Sequence, residues 1–296
     1  MSKMRRITVF AVLMAVSLVG AWAQETEPQD STVEVIGWFC TNDTLEYSYS
    51  TVSAEVVAGD TTVTEYTDNE IRICVVDSTK RGYTMESVLT SVEISDSTSA
   101  QGRLRLQAAR LGLGAKVMFT TDEYGVFKEI SNVKDLYQQS LDLQQKIVDQ
   151  IYEETPALYA KMSKPEMLKM MKDQLRKELD SKEAASNRFI QFKMLFLNHG
   201  KVFRLGEYEM ESEEGNVSYI VTKGALEDEE DSNDNEYQIY YKVEMPEEDG
   251  VKTTNYYEYT YFDDGWPRSA MMTIVEEGAD KTTLTQMKLV WLSKVW

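Results

Sequence analysis

Few residues in this chain are equipped to do chemistry. His199 is the single histidine, so any histidine-based acid–base site or Ser–His–Asp arrangement must use it. It stands directly before Gly200 at the end of a helical pattern. There an imidazole simply meets the free carbonyls of a last helical turn. No Gly-x-Ser-x-Gly elbow accompanies it. The reading is structural, and no catalytic residue is assigned. One histidine also excludes a histidine-built zinc site, and Cys40 and Cys74 are too far apart in sequence for ligand spacing.

The acidic stretch Asp228–Glu236 is the strongest candidate for a cation. Asp231, Asn233 and Asn235 fit positions 1, 3 and 5 of a calcium loop. Position 6 is Glu236 where glycine is required, and position 12 is Lys242 where a bidentate acid is required. A solvated acidic loop accounts for the same residues, so no metal is assigned and no cofactor is implied. With 50 acidic residues, carboxylates spaced for glycoside hydrolysis always exist somewhere, and sequence gives no separation.

Cys40 and Cys74 either pair or pack as separate small apolar groups. In an oxidising compartment a disulfide would stabilise by roughly 3–4 kcal/mol on the chain-entropy model. Five Asp-Ser/Thr segments begin at Asp30, Asp43, Asp60, Asp77 and Asp96. Their side chains suit turns, and the same tripeptides look like the O-glycosylation acceptor of some Gram-negative anaerobes. Tyr256-Tyr257-Glu258-Tyr259-Thr260-Tyr261 is either a sugar-stacking surface or an ordinary half-buried strand.

The elements that must position these residues come in three blocks. Alternating patterns at Val33–Cys40, Leu45–Val57, Val63–Val76, Tyr83–Ile94, Arg103–Arg110, Ala115–Thr121 and Val126–Ile130 read as an antiparallel meander. From Asn132, a candidate helix cap, the period lengthens to about 3.6. Leu136, Ser140, Leu143, Ile147 and Ile151 form one stripe, ended by Thr155-Pro156. Ser163-Lys164-Pro165-Glu166 has capping-box spacing, followed by Leu168, Met171, Leu175 and Leu179. A third start at Asp180–Glu183 leads to Phe189, Phe192 and Phe196. Strand patterns then return at Lys201–Met210, Val217–Lys223, Glu236–Met245, Thr253–Phe262, Ser269–Val275 and Thr282–Trp296. Asp263-Asp264-Gly265 echoes Asp122-Glu123-Tyr124-Gly125 as an acidic hairpin turn. The fold class is therefore α+β: a curved antiparallel sheet or open barrel built from two strand sets, with an inserted block of about three helices covering one face. Residues 33–296 form one domain: strands over 33–131, helices over 132–198, strands over 201–296.

The N-terminus supplies the compartment. Lys3, Arg5 and Arg6 precede the apolar run Ile7–Gly20, and Ala21-Trp22-Ala23 offers small residues at the cleavage positions. Residues 1–23 read as a secretory signal peptide, with Gln24 as the mature N-terminus and 24–32 as a disordered leader. The chain is exported, periplasmic or secreted. No transmembrane segment remains after signal cleavage, since no later run approaches 18 apolar residues. Loss of three positive charges takes the net charge from -19 to -22. That charge disfavours nucleic acid and anionic lipid surfaces as partners.

The run Phe119-Thr120-Thr121-Asp122-Glu123-Tyr124-Gly125-Val126-Phe127-Lys128-Glu129-Ile130-Ser131-Asn132 resembles a segment of uncharacterised exported strand–helix–strand proteins of Gram-negative anaerobes. Phe262-Asp263-Asp264-Gly265-Trp266-Pro267 resembles their second hairpin. The layout is also similar to that of periplasmic lipoprotein carriers, at the level of fold. The resemblance implies no assigned activity. It fits a non-enzymatic cell-envelope protein with an apolar cleft between sheet and helices, holding a lipid, acyl chain or peptide. Strand parity nominates Trp38, Tyr47, Tyr49 and Trp291 on the sheet, facing Phe189, Phe192 and Phe196 on the helix. The partners would be a hydrophobic small molecule or an envelope protein. A structural or surface-interaction protein without a small ligand is the alternative, and a carboxylate-based hydrolase is the second.

Overall fold

The computed structural model describes residues 32–95, 112–154, 161–212, 215–224 and 236–295, with residues 102, 105, 106, 109 and 110 between the first two. Residues 1–31 are not among them, so the segment read as a signal peptide and the expected leader up to residue 31 lie outside the described residues. So do most of the acidic stretch from Asp228, the Asp30 and Asp96 turns, and Trp296.

Alternation dictates the strands. β1 (Thr32–Glu34), β2 (Thr44–Val57), β3 (Asp60–Thr79), β4 (Gly82–Ile94), β5 (Lys116–Thr121) and β6 (Phe127–Ile130) precede the helices. β7 (Val202–Arg204), β8 (Gly206–Ser212), β9 (Gly215–Lys223), β10 (Tyr237–Glu244), β11 (Lys252–Tyr261), β12 (Pro267–Glu277) and β13 (Thr282–Val295) follow them. In β10 the period of two is complete: Tyr237, Ile239, Tyr241 and Val243 are buried, and the residues between them are half-buried.

Eleven strands make one open, curved antiparallel sheet in the order β6-β5-β4-β3-β2-β13-β12-β11-β10-β9-β8. The two strand sets meet at its centre, where β2 pairs with β13, Tyr49 opposite Leu289 and Tyr47 opposite Trp291. β1 and β7 form a separate two-stranded sheet. The α+β class and the helix insertion are as expected.

Among the described residues four helices lie between the strand sets: α1 (Val133–Glu154), α2 (Lys164–Leu179), α3 (Lys182–Arg188) and α4 (Ile190–Leu195). The capping box is present at α2, where Ser163 and Glu166 satisfy each other's backbone N–H groups. Ser181 caps α3 by accepting from Ala184 N–H. Phe119 stacks on Phe192 at 4.6 Å, and the Tyr259 hydroxyl donates to the Met194 carbonyl at 3.0 Å, which fixes α4 on one face of the sheet.

Four local expectations are corrected. The strand over Val33–Cys40 stops at Glu34, because residues 35–38 bond to three different segments instead of one ladder. The described residues of 102–110 are helical, so the alternation at Arg103–Arg110 is not a strand. Asn132 does not cap α1 with its side chain. Its Oδ1 accepts from Met118 N–H and its Nδ2 donates to the Lys116 carbonyl, which ties the turn to β5. Lys201–Met210 is two strands, β7 and β8, divided at Leu205.

Candidate functional site

The densest arrangement of polar and aromatic groups lies where the two acidic hairpins meet. In the first, Asp122 Oδ1 accepts from Tyr124 and Val126 N–H, and its Oδ2 lies 2.6 Å from Lys128 Nζ. Burial raises the Asp122 pKa, but the bonds from Lys128, Val126 and Tyr124 outweigh it and hold the carboxyl below its usual range. In the second, Asp264 Oδ1 accepts from Trp266 N–H at 3.0 Å. Burial pushes the Asp264 pKa up, against that bond and the Lys294 charge. Both carboxylates therefore close turns.

The two turns grip the same strip of chain. Gly37 N–H donates to the Tyr124 carbonyl and Trp38 N–H to the Asp264 carbonyl, each at 2.9 Å. The Tyr83 hydroxyl donates to the Gly37 carbonyl, and just before the strip Val35 N–H donates to the Lys201 carbonyl while its own carbonyl accepts from Gly200 N–H. Positive φ at Gly125 and Gly265 permits the close approach.

His199 sits beneath this junction, 2% exposed. Its Nε2 donates to the Gly265 carbonyl at 3.0 Å. Burial brings its pKa down to about 4, against the opposing pull of the Gly265 and Phe196 carbonyls and the Asp122 charge. The ring is neutral and packed among Phe39, Phe196 and Tyr261. Its side chain thereby ties the segment before Gly200 to the second hairpin turn.

The seven nominated residues do not line one open cleft. Tyr47 is fully buried, its hydroxyl donating to the Pro267 carbonyl at 2.8 Å. Phe192 and Phe196 are each 1% exposed, in the cluster with Phe119, Phe39 and Trp266. Phe189 flanks Phe192 and is half-buried. Tyr49 is half-buried beside Met287, and Trp291 is half-buried against Phe262. Trp38 is 67% exposed and faces away from all of them. The parity of its segment is right and the face is reversed: Val33, Val35 and Phe39 are buried, while Trp38 and Cys40 are outside. Phe39 and Trp266, at the centre of the cluster, were not nominated. Their positions beside the 36–38 strip and the second hairpin turn were the available signal.

A second feature runs across the helix-facing side of the sheet. Tyr208, Tyr219, Tyr241 and Tyr257 occupy opposite positions on β8 to β11. Their rings stack in sequence at 4.8, 5.3 and 4.5 Å. The Arg204 guanidinium covers the outer face of Tyr208 at 4.6 Å. Within the ladder the ring faces are occupied by one another, as an ordinary half-buried strand surface would have them. Of the tyrosine-rich stretch on β11, Tyr259 and Tyr261 are buried and Tyr257 belongs to this ladder.

Glu236, the described end of the acidic stretch, is buried and pairs with buried Arg268 at 3.2 Å, where Arg268 lies over the rings of Phe262 and Trp291. Cys40 is exposed and Cys74 half-buried, as separate thiols. Asp77-Ser78-Thr79 lies within the exposed end of β3 and not in a turn. A depression of about 660 Å³ lies along α2, lined by residues such as Gln144, Met170, Gln174 and Lys177 and by none of the seven. Among the described residues no group of three or more His, Cys, Asp or Glu could hold a metal, and no helix is long and apolar enough to cross a membrane.

No protein-family model and no curated protein matches the sequence. Among solved structures, a lipovitellin described for its lipid–protein interactions is 13% identical over 87% of this chain, with a TM-score of 0.48. DynF of the dynemicin biosynthesis pathway of Micromonospora chersina is 9% identical over 94% of each chain, with a TM-score of 0.21. An outer membrane channel from Pseudomonas putida F1 is 10% identical over 90% of this chain and 100% of that one, with a TM-score of 0.14. The chain spans 26% of the lipovitellin chain. With TM-scores below 0.5, none of these similarities establishes a shared activity.

Proposed function

We propose that this is a non-enzymatic, exported protein of the cell envelope, periplasmic or secreted, that acts by binding another macromolecule at its surface. The observation that carries the reading is the state of Phe192. The ring expected to line a cleft is 1% exposed and stacked on Phe119, so the space between α4 and the sheet is filled by protein. Export rests on the pattern of residues 1–23.

A second reading, a carrier of a lipid, acyl chain or apolar peptide, is favoured by one strip. Tyr49, Met272, Met287 and Trp291 are half-buried at the margin of the core, and flexible methionines accommodate irregular apolar ligands. The test is uptake of a naphthalene sulfonate probe by the native protein, followed by near-UV dichroism. The surface-binding reading expects no saturable uptake. Saturable uptake with an unchanged near-UV spectrum, lost in Met272→Glu, would replace it with the carrier.

A further inference from the structure

We infer that the edge strand β8 receives an added β-strand from a partner protein whose residues alternate between cationic and apolar; this deepens the surface-binding reading and rests on it. The sheet is open and has two edges, β6 and β8. β6 is four residues long, and Glu129 on it is held by an ion pair to Lys182 of α3. β8 is seven residues long, and its strand ladder among the described residues is to β9. Six of its seven residues are exposed and Tyr208 is half-buried. Alternate residues of such a strand turn their N–H and C=O groups outward, ready to pair with an extended peptide.

The side chains define what would fit. Glu207, Glu209 and Glu211 share one side of the sheet, opposite Ile220, Ser218 and Asn216 of β9. None of these directly opposite neighbours is a cation, and Lys242 of β10, beyond Ser218 on the same side, pairs with Glu244. Tyr208 and Met210 share the helix-facing side, opposite Tyr219 and Val217. An incoming strand with Lys or Arg at every second position would oppose the three glutamates, and apolar residues between would extend the Tyr208–Met210 side. Opposite charges placed directly across a strand pair stabilise it, and like charges do the reverse.

A second copy of the chain is the wrong partner for this edge. Two β8 strands related by a two-fold axis normal to the sheet keep their helix-facing residues on a common side. Every such register then sets glutamate opposite glutamate. The same carboxylates that invite a basic strand therefore discourage self-pairing.

The probe is a labelled heptapeptide alternating lysine and valine, read by fluorescence anisotropy on the full chain. Saturable binding is expected, weakened at least tenfold by Glu209→Lys and by N-methylation of alternate peptide amides. A glutamate–valine peptide should bind the triple variant Glu207→Lys/Glu209→Lys/Glu211→Lys. These positions are exposed, and circular dichroism verifies that each variant folds. Equal binding of the N-methylated peptide, or of one with its lysines and valines in separate blocks, would show charge attraction without strand addition and overturn the inference. So would a dimer in sedimentation that Glu209→Lys abolishes. These outcomes leave the surface-binding reading standing, since that reading falls only to saturable probe uptake with an intact native spectrum.

Discussion

Gly265 approaches the backbone of Ile36 so closely that a Cβ at residue 265 would lie 2.0 Å from the Ile36 carbonyl oxygen. The obstacle is backbone, which cannot swing away as a side chain can. Gly265→Ala is therefore expected to cost upwards of about 3 kcal/mol, combining a left-handed φ with displacement of the 36–38 strip. Gly59, also left-handed but with nothing within 4 Å of its added Cβ, is the control; Gly59→Ala should cost only about 1–2 kcal/mol. Urea denaturation of the two variants measures the difference.

Phe192→Ala should destabilise by roughly 3–5 kcal/mol, because it empties a site enclosed by Phe119 and Phe189. A loss below about 1 kcal/mol would mean that the site is already wet or collapses freely.

Acidification should weaken the fold first through His199. Its folded-state pKa is about 4 against an ordinary 6.5, so above pH 6.5 the ring is neutral in both states and costs nothing. As pH falls from 6.5 to 4 the unfolded chain takes up a proton that the folded chain refuses, and stability declines by about 3 kcal/mol. Asp264, with its raised pKa, opposes this near the lower end, and Asp122, with its lowered pKa, adds to it below that. His199→Gln should flatten the slope between pH 6.5 and 4. An unchanged slope would assign the loss to the carboxylates.

Glu236 and Arg268 should behave as a unit. Arg268→Ala removes the ion pair of a buried carboxylate and is expected to cost about 3–5 kcal/mol, whereas the pair Glu236→Leu/Arg268→Met should lose less than that single change. A double-mutant cycle by chemical denaturation reads the coupling.

What was legible in the sequence was what local spacing controls. Alternation placed β2 and put Leu45, Tyr47 and Tyr49 on one face, and the Ser163–Glu166 spacing located the start of α2. The strip around Trp38 was legible in its period but not in its direction. Which side of it faces inward is decided by Tyr124 and Asp264, far along the chain. Asn132 has the chemistry of a cap, and only the proximity of β5 diverts its side chain. Parity within a single strand points to a face but not to the residues of other segments that share it. The core instead gathers Phe39, Phe119, Phe192, Phe196 and Trp266 from segments no local pattern connects.

The seam at which β2 meets β13 also sets the tempo of assembly. Ser293 bonds to Glu46 across 247 residues of chain, so the middle of the sheet cannot knit until the final strand emerges. Such distant pairing makes folding slow, since the chain must close a very long loop before any seam contact repays it. Under the proposed export, this delay would keep the chain unfolded while it crosses the translocation pore. The cost falls in the interval before β13 arrives, when β2 presents a fourteen-residue unpaired flank and is most open to misassembly.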